Sequence, residues 1–130
     1  MNLPSSIGLV VPVAGAETHG EYALVEACLP AATEIPPHVT AHEDVVLHLL
    51  DGELSVTVSG ELTALTGGQS ITVPKGRTRR LYTTRPSRLL VLIRPAGLEQ
   101  ILAVVADPTL DPDDRAALLA VGGVRSVPAA

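Results

Sequence analysis

Between residues 45 and 94 the chain is cut into six short apolar runs, at 45–50, 53–58, 61–65, 70–73, 78–84 and 87–94, with a glycine or proline between most neighbouring pairs. Runs this short, evenly spaced and bounded by turn-forming residues specify the strands of an antiparallel sandwich or barrel. Residues 21–29, held between Gly20 and Pro30, read as a further strand. Residues 7–13, interrupted by Pro12, suit an edge strand or arm that adds to the sheet of a second copy and makes a homodimer. At Pro95 the texture changes. Residues 97–105 carry apolar side chains at helical spacing, Asp111-Pro112-Asp113-Asp114 is a helix start, and Gly122-Gly123 ends that helix. The expected fold is mainly β: a single antiparallel β-barrel or jelly roll with two short C-terminal helices packed on its outside, followed by a frayed tail. Residues 1–19 form the arm, 20–95 the barrel and 96–130 the helical end of one domain.

The core of such a barrel must be aliphatic, because the chain has no Phe or Trp and only two tyrosines, Tyr22 and Tyr82. Without flat aromatic faces, and at a net charge of −5, a stacking platform for single-stranded nucleic acid is excluded. All nine Lys and Arg residues lie at or after Lys75, while most of the acids precede it. Such asymmetry fits either a nucleic-acid tail or two halves that fold onto each other with complementary faces. The cations stand singly rather than in a block, which favours the second. The one cysteine, Cys28, cannot close an intramolecular disulfide and reads as a small buried residue. Ala14-Gly15-Ala16 has the look of a leader cleavage site, but no Lys or Arg precedes it and Pro4 and Pro12 interrupt the run. No stretch reaches the ~18 apolar residues of a membrane span. A cytoplasmic protein with no membrane or nucleic-acid partner is expected.

Two stretches carry the chemistry. In residues 36–54 two prolines fix an extended approach, a polar run with His38 and His42 follows, and the buried run at 45–50 ends in a turn at Asp51-Gly52. In residues 67–82 a glycine turn, a β-branched run and a Pro-Lys-Gly corner precede another strand. They look like facing parts of one site.

Together these stretches resemble the cupin superfamily, whose first motif runs Gly-x5-His-x-His-x4-Glu-x6-Gly and whose second runs Gly-x5-Pro-x-Gly-x2-His-x3-Asn. Gly68, Pro74 and Gly76 keep the frame of the second motif; His38 and Gly52 keep their spacing in the first. The resemblance covers about residues 20–95 and implies a small β-barrel with a ligand site inside it. It also implies four metal-ligand positions, and these are occupied here by His38, Thr40, Val45 and Arg79. A single imidazole beside a permanent cation does not hold a transition metal, so no cofactor is expected. If a divalent metal binds, His38 and His42 with Glu43 or Asp44 are the candidates, yet on an extended strand the two histidines would stand about 13 Å apart. His48 has the wrong parity to face inward.

What replaces the metal is a guanidinium. In the family frame Arg79 projects into the barrel, with Arg77 and Leu81 on the same strand face and Thr40, Val45 and Leu47 completing the pocket wall. A buried cation must be paired. It does so either with an internal acid such as Glu34 or Glu43, or with the carboxylate, phosphate or enolate of a ligand. His38 beside it is a candidate acid/base, or else a plain loop histidine. The function expected is a metal-independent or atypical enzyme of isomerase, cyclase or lyase type, acting on a small anionic organic molecule with Arg79 as anchor and His38 as acid/base. The alternatives are a non-catalytic ligand-binding or sensing cupin and, more remotely, a metal-dependent, dioxygenase-like cupin with rebuilt ligands.

Overall fold

In the computed structural model, which describes residues 7–127, ten strands and two helices follow one another as β1 (Gly8–Val13), β2 (Ala23–Leu29), β3 (Glu34–Thr40), β4 (Asp44–Asp51), β5 (Glu53–Val58), β6 (Glu61–Thr66), β7 (Ser70–Val73), β8 (Arg79–Thr83), β9 (Ser87–Arg94), α1 (Leu98–Val105), α2 (Pro112–Val121) and β10 (Val124–Ser126). The strands form two five-stranded sheets, ordered β1-β2-β9-β4-β7 and β10-β3-β8-β5-β6, and every pairing is antiparallel. This is the expected mainly β jelly roll with two C-terminal helices, built as a sandwich of two sheets rather than a closed barrel.

Alternation decides which side chains meet between the sheets. On β4, Val45, Leu47 and Leu49 are buried; on β5, Leu54 and Val56; on β2, Ala23, Val25, Ala27 and Leu29. Each fully buried Leu or Val contributes about 1.5–3 kcal/mol by leaving water, so a one-residue slip of any of these strands would exchange its whole inner set for its outer one. Asp51-Gly52 is a corner, since β4 belongs to one sheet and β5 to the other. Gly52 turns it at φ 105°, where a Cβ would lie 2.7 Å from the Pro86 carbonyl oxygen, and only glycine tolerates both demands.

The same parity corrects the reading of Cys28. It falls between inward-facing Ala27 and Leu29 and is therefore exposed on the outer face of β2. The division of charge is resolved as well. The four ion pairs among the described residues, Arg80–Glu34, Arg85–Glu53, Arg88–Glu26 and Arg88–Asp51, each join a late cation to an early acid, so the halves do present complementary faces.

The C-terminal region departs from expectation in two ways. The helices do not lie on the outside: Leu98, Val105 and Leu119 pack with Val25 and Ile93, which face between the sheets, so α1 and α2 close one end of the sandwich. Asp111 caps α2 by accepting from the Asp113 N–H at 2.8 Å. The chain after α2 also does not fray where it was expected to. Val124, Arg125 and Ser126 form β10 against Thr40, Val39 and His38. At the other end of the chain, β1 pairs with β2 of its own molecule, which leaves the outer edge of β1 as a sheet edge. No helix among the described residues is long and apolar enough to cross a membrane.

Candidate anion site between the sheets

Two prolines set the site. Pro36 and Pro37 lie inside β3, and proline cannot donate to a ladder, so pairing with β8 is interrupted there. Ile35 is opposite Leu81 and His38 is opposite Arg79, three residues on β3 against two on β8. The extra residue is a bulge, and a bulge reverses the alternation downstream of it. Ile35 packs towards the core and, past the bulge, His38 and Thr40 do so too. The residues after the prolines thus continue as a strand that turns its histidine inward, and the ladder sets that histidine directly across from Arg79.

His38, Thr40 and Arg79 share a cavity of about 130 Å³ with Val45, Leu47 and Leu81. The rest of its wall is aliphatic and includes Leu98 and Leu119 from the helices. Of the residues expected to line it, Arg77 alone does not. The segment 74–77 is a turn, closed by the Arg77 N–H donating to the Pro74 carbonyl at 3.2 Å, so strand parity does not extend back from Arg79. Arg77 is exposed and borders a shallow groove with Glu61 and Thr63 instead.

The Arg79 side chain is 2% exposed and incompletely satisfied. Its Nη2 donates to the Thr40 hydroxyl at 2.8 Å, and that hydroxyl donates in turn to the Glu43 carbonyl at 3.0 Å. Its Nε has no partner. Among the described residues no carboxylate comes within ion-pair distance of it: Glu34 is taken by Arg80 at 2.7 Å, and Glu43, itself buried, has its Oε2 without a partner. Burial draws the Arg79 pKa down to about 10, opposed by the field of Glu43. Burial pushes the Glu43 carboxyl up from its ordinary value, opposed by His42, backbone hydrogen bonds and Arg79. At neutral pH the guanidinium is charged.

His38 is neutral there. Burial, and then the charge of Arg79, draw its pKa down to about 4 against the opposing pull of its hydrogen bond to the Pro36 carbonyl. That bond, 2.8 Å from Nδ1, fixes the tautomer, because a carbonyl only accepts. The proton sits on Nδ1, and Nε2 carries a lone pair with no partner among the described residues.

The residues do not suit a metal. Of the four positions that the cupin frame assigns to ligands, one is an imidazole, one a hydroxyl already committed to Arg79 and Glu43, one an aliphatic side chain and one a fixed cation. Among the described residues no three of His, Cys, Asp or Glu are grouped to hold an ion. His42 is exposed in the turn between β3 and β4, outside the cavity, and His48 bonds the Ser70 hydroxyl on the outer face. Sequence reasoning missed one contributor to the site, the helical leucines, which were expected outside the barrel. Glu43, considered as a partner or ligand, is a buried carboxyl with no ion pair among the described residues.

The fold is shared widely. The KdgF structure from Halomonas sp. superposes with a TM-score of 0.68 at 16% identity, over 77% of this chain and 88% of that one. The cupin domain of Schizosaccharomyces pombe Cnp3 gives 0.63 at 19%, over 80% and 75%. Ectoine synthase from P. lautus gives 0.62 at 16%, over 71% and 66%. At these identities the likeness is one of fold. No curated protein matches the chain. The sequence model of the Cupin domain matches residues 25–93, a span that runs from β2 through β9, takes in both motif stretches and exceeds half of the 130 residues. The chain, with three of the four metal-ligand positions replaced, therefore belongs to the cupin domain family.

Proposed function

We propose that this cupin binds a small organic anion in the cavity between its sheets and acts on it without a metal, by proton transfer at His38, as an isomerase, cyclase or lyase would. The observation that carries the reading is Arg79: a charged guanidinium, 2% exposed, on the wall of an aliphatic cavity, with an Nε that has no partner. A buried cation without a counter-ion is costly, and a ligand carboxylate would supply both the charge and the missing acceptor. The neutral His38 directly opposite supports a base, since its Nε2 is free to take a proton. A binding or sensing role without chemistry is favoured by one specific fact, the pKa of about 4, which makes the imidazole a weak base until an anion arrives beside it. The single cysteine supports a cytoplasmic setting.

A panel of short carboxylates tested by calorimetry is expected to yield a ligand. Arg79→Met should weaken it by on the order of 2–4 kcal/mol while the protein still folds. Undiminished binding by that variant would overturn the reading. Exchange of the ligand's C–H hydrogens in D2O, lost in His38→Leu, separates the enzyme from the sensor. For the assembly we propose a homodimer joined through the free outer edge of β1. Light scattering that shows a monomer at tens of micromolar, or no change in mass when residues 1–13 are deleted, would remove it.

A further inference from the structure

The anion-site reading leaves open which anion, and the polarity of the wall narrows it. Residues directly opposed across an antiparallel ladder have Cβ atoms about 5 Å apart, so the His38 and Arg79 side chains leave their strands as immediate neighbours. One presents only donors. The other, its Nδ1 proton spent on the Pro36 carbonyl at 2.8 Å, presents only an acceptor. The Thr40 hydroxyl is committed on both sides, to Arg79 and to the Glu43 carbonyl. A ligand that satisfies this wall carries a carboxylate and, on the adjacent atom, a hydrogen-bond donor. The donor is better neutral, because an ammonium group would stand beside the guanidinium. A hydroxyl meets the requirement. A ketone at the same place would set its lone pairs against that of Nε2. Beyond these groups the wall is aliphatic, with Leu47, Leu81, Leu89, Val91, Leu98 and Leu119 among its residues. The volume, about 130 Å³, is a little below the roughly 150 Å³ that accepts the ring of benzene, which suits about six non-hydrogen atoms.

We propose that the cavity selects short 2-hydroxy monocarboxylates of about three carbons: the carboxylate is held by Arg79, the hydroxyl donates to Nε2 of His38, and the methyl group lies against the aliphatic wall. This inference rests on the anion-site reading and deepens it. Calorimetry at neutral pH on the intact chain with four probes of one carbon skeleton tests it: 2-hydroxypropionate, propionate, 2-oxopropionate and alanine. The 2-hydroxy acid is expected to bind about tenfold more tightly than any of the others, and His38→Leu to bring it level with propionate. Should that variant fail to fold, proton-detected nitrogen NMR of the wild-type imidazole reads the same contact, as a shift of the His38 Nε2 resonance with the 2-hydroxy acid and none with propionate. Equal affinity for 2-hydroxypropionate and propionate overturns the hydroxyl contact and leaves the anion site standing. No binding of any of the four, when longer or dianionic carboxylates do bind through Arg79, overturns the size and charge class. No carboxylate binding at all removes the anion site and this inference with it.

Discussion

Two regions of the molecule bury charge, and they do so to opposite effect. At the helical end, Arg115 is 5% exposed and its Nη2 donates to the Asp107 and Leu110 carbonyls at 3.0 and 3.2 Å, tying the loop between α1 and α2 to the helix that follows. Glu99, in the first turn of α1, is buried too and accepts from the Gly97 N–H at 2.6 Å and the Gly15 N–H at 3.3 Å. Their groups are met by backbone that needs them. In the cavity wall, Arg79 is as deeply buried, but among the described residues its hydrogen bond goes to the Thr40 hydroxyl and not to backbone. Equal depth therefore comes with different partners, and on the anion-site reading that difference is what leaves Arg79 available to a ligand.

Three measurements sharpen or break that contrast. The largest effect is expected from Arg115→Met, which removes two charge-assisted hydrogen bonds at once and should cost on the order of 4 kcal/mol in denaturant unfolding. A cost no greater than that of Arg79→Met would erase the distinction. Next comes acid. The His38 pKa falls from 6.5 unfolded to about 4 folded, so the unfolded chain binds more protons between those values. Stability is therefore fully present above pH 6.5 and is lost as pH falls towards 4, by about 3 kcal/mol. Glu43, its folded pKa raised above 4.5, works the other way: its contribution is present below 4.5 and lost as pH rises through the folded value. Melts of His38→Gln across this range should show the acid loss reduced, and Glu43→Gln should steepen it; an unchanged profile for His38→Gln would show the imidazole to be no more buried than a surface one. The smallest effect is expected for Arg79→Met in the absence of ligand, a change within about 1 kcal/mol, since it removes a buried charge that is poorly satisfied. Strong destabilisation restored by adding Glu43→Gln would mean that the two compensate each other, and would return Arg79 to the structural class.

Most of the fold could be read from punctuation. The strands from residue 45 to 94 fall where glycine and proline cut the apolar runs, α1 falls where the spacing turns helical, and α2 begins where its start signal stands. β3 was hidden because Pro36 and Pro37 are poor strand residues, and only a partner strand reveals that they occupy a bulge. β10 was hidden because three residues have no local period; pairing with β3 makes them a strand. For the site, the motif frame located His38, Thr40, Val45 and Arg79, since spacing along a strand survives folding. It misjudged Arg77, because parity stops at a turn, and it left Arg79's partner undecided, because hydrogen-bond satisfaction depends on residues distant in sequence. Cys28 shows the converse: β2 alternates plainly, and reading that alternation would have placed it outside.

The pairing of β10 with β3 makes the cavity depend on a segment far along the chain from its motifs. Gly123, at φ 84°, brings the chain past His42 so closely that a Cβ there would lie 2.8 Å from the imidazole Cδ2, and β10 then runs along Thr40 to His38. In a chain cut before residue 98 the end of the sandwich would stand open and one edge of β3 would be bare. Water would reach the guanidinium, its charge would be screened, and the imidazole would keep nearer its ordinary affinity for protons. The segment that carries none of the motif residues is thus the one that dries the cavity they line.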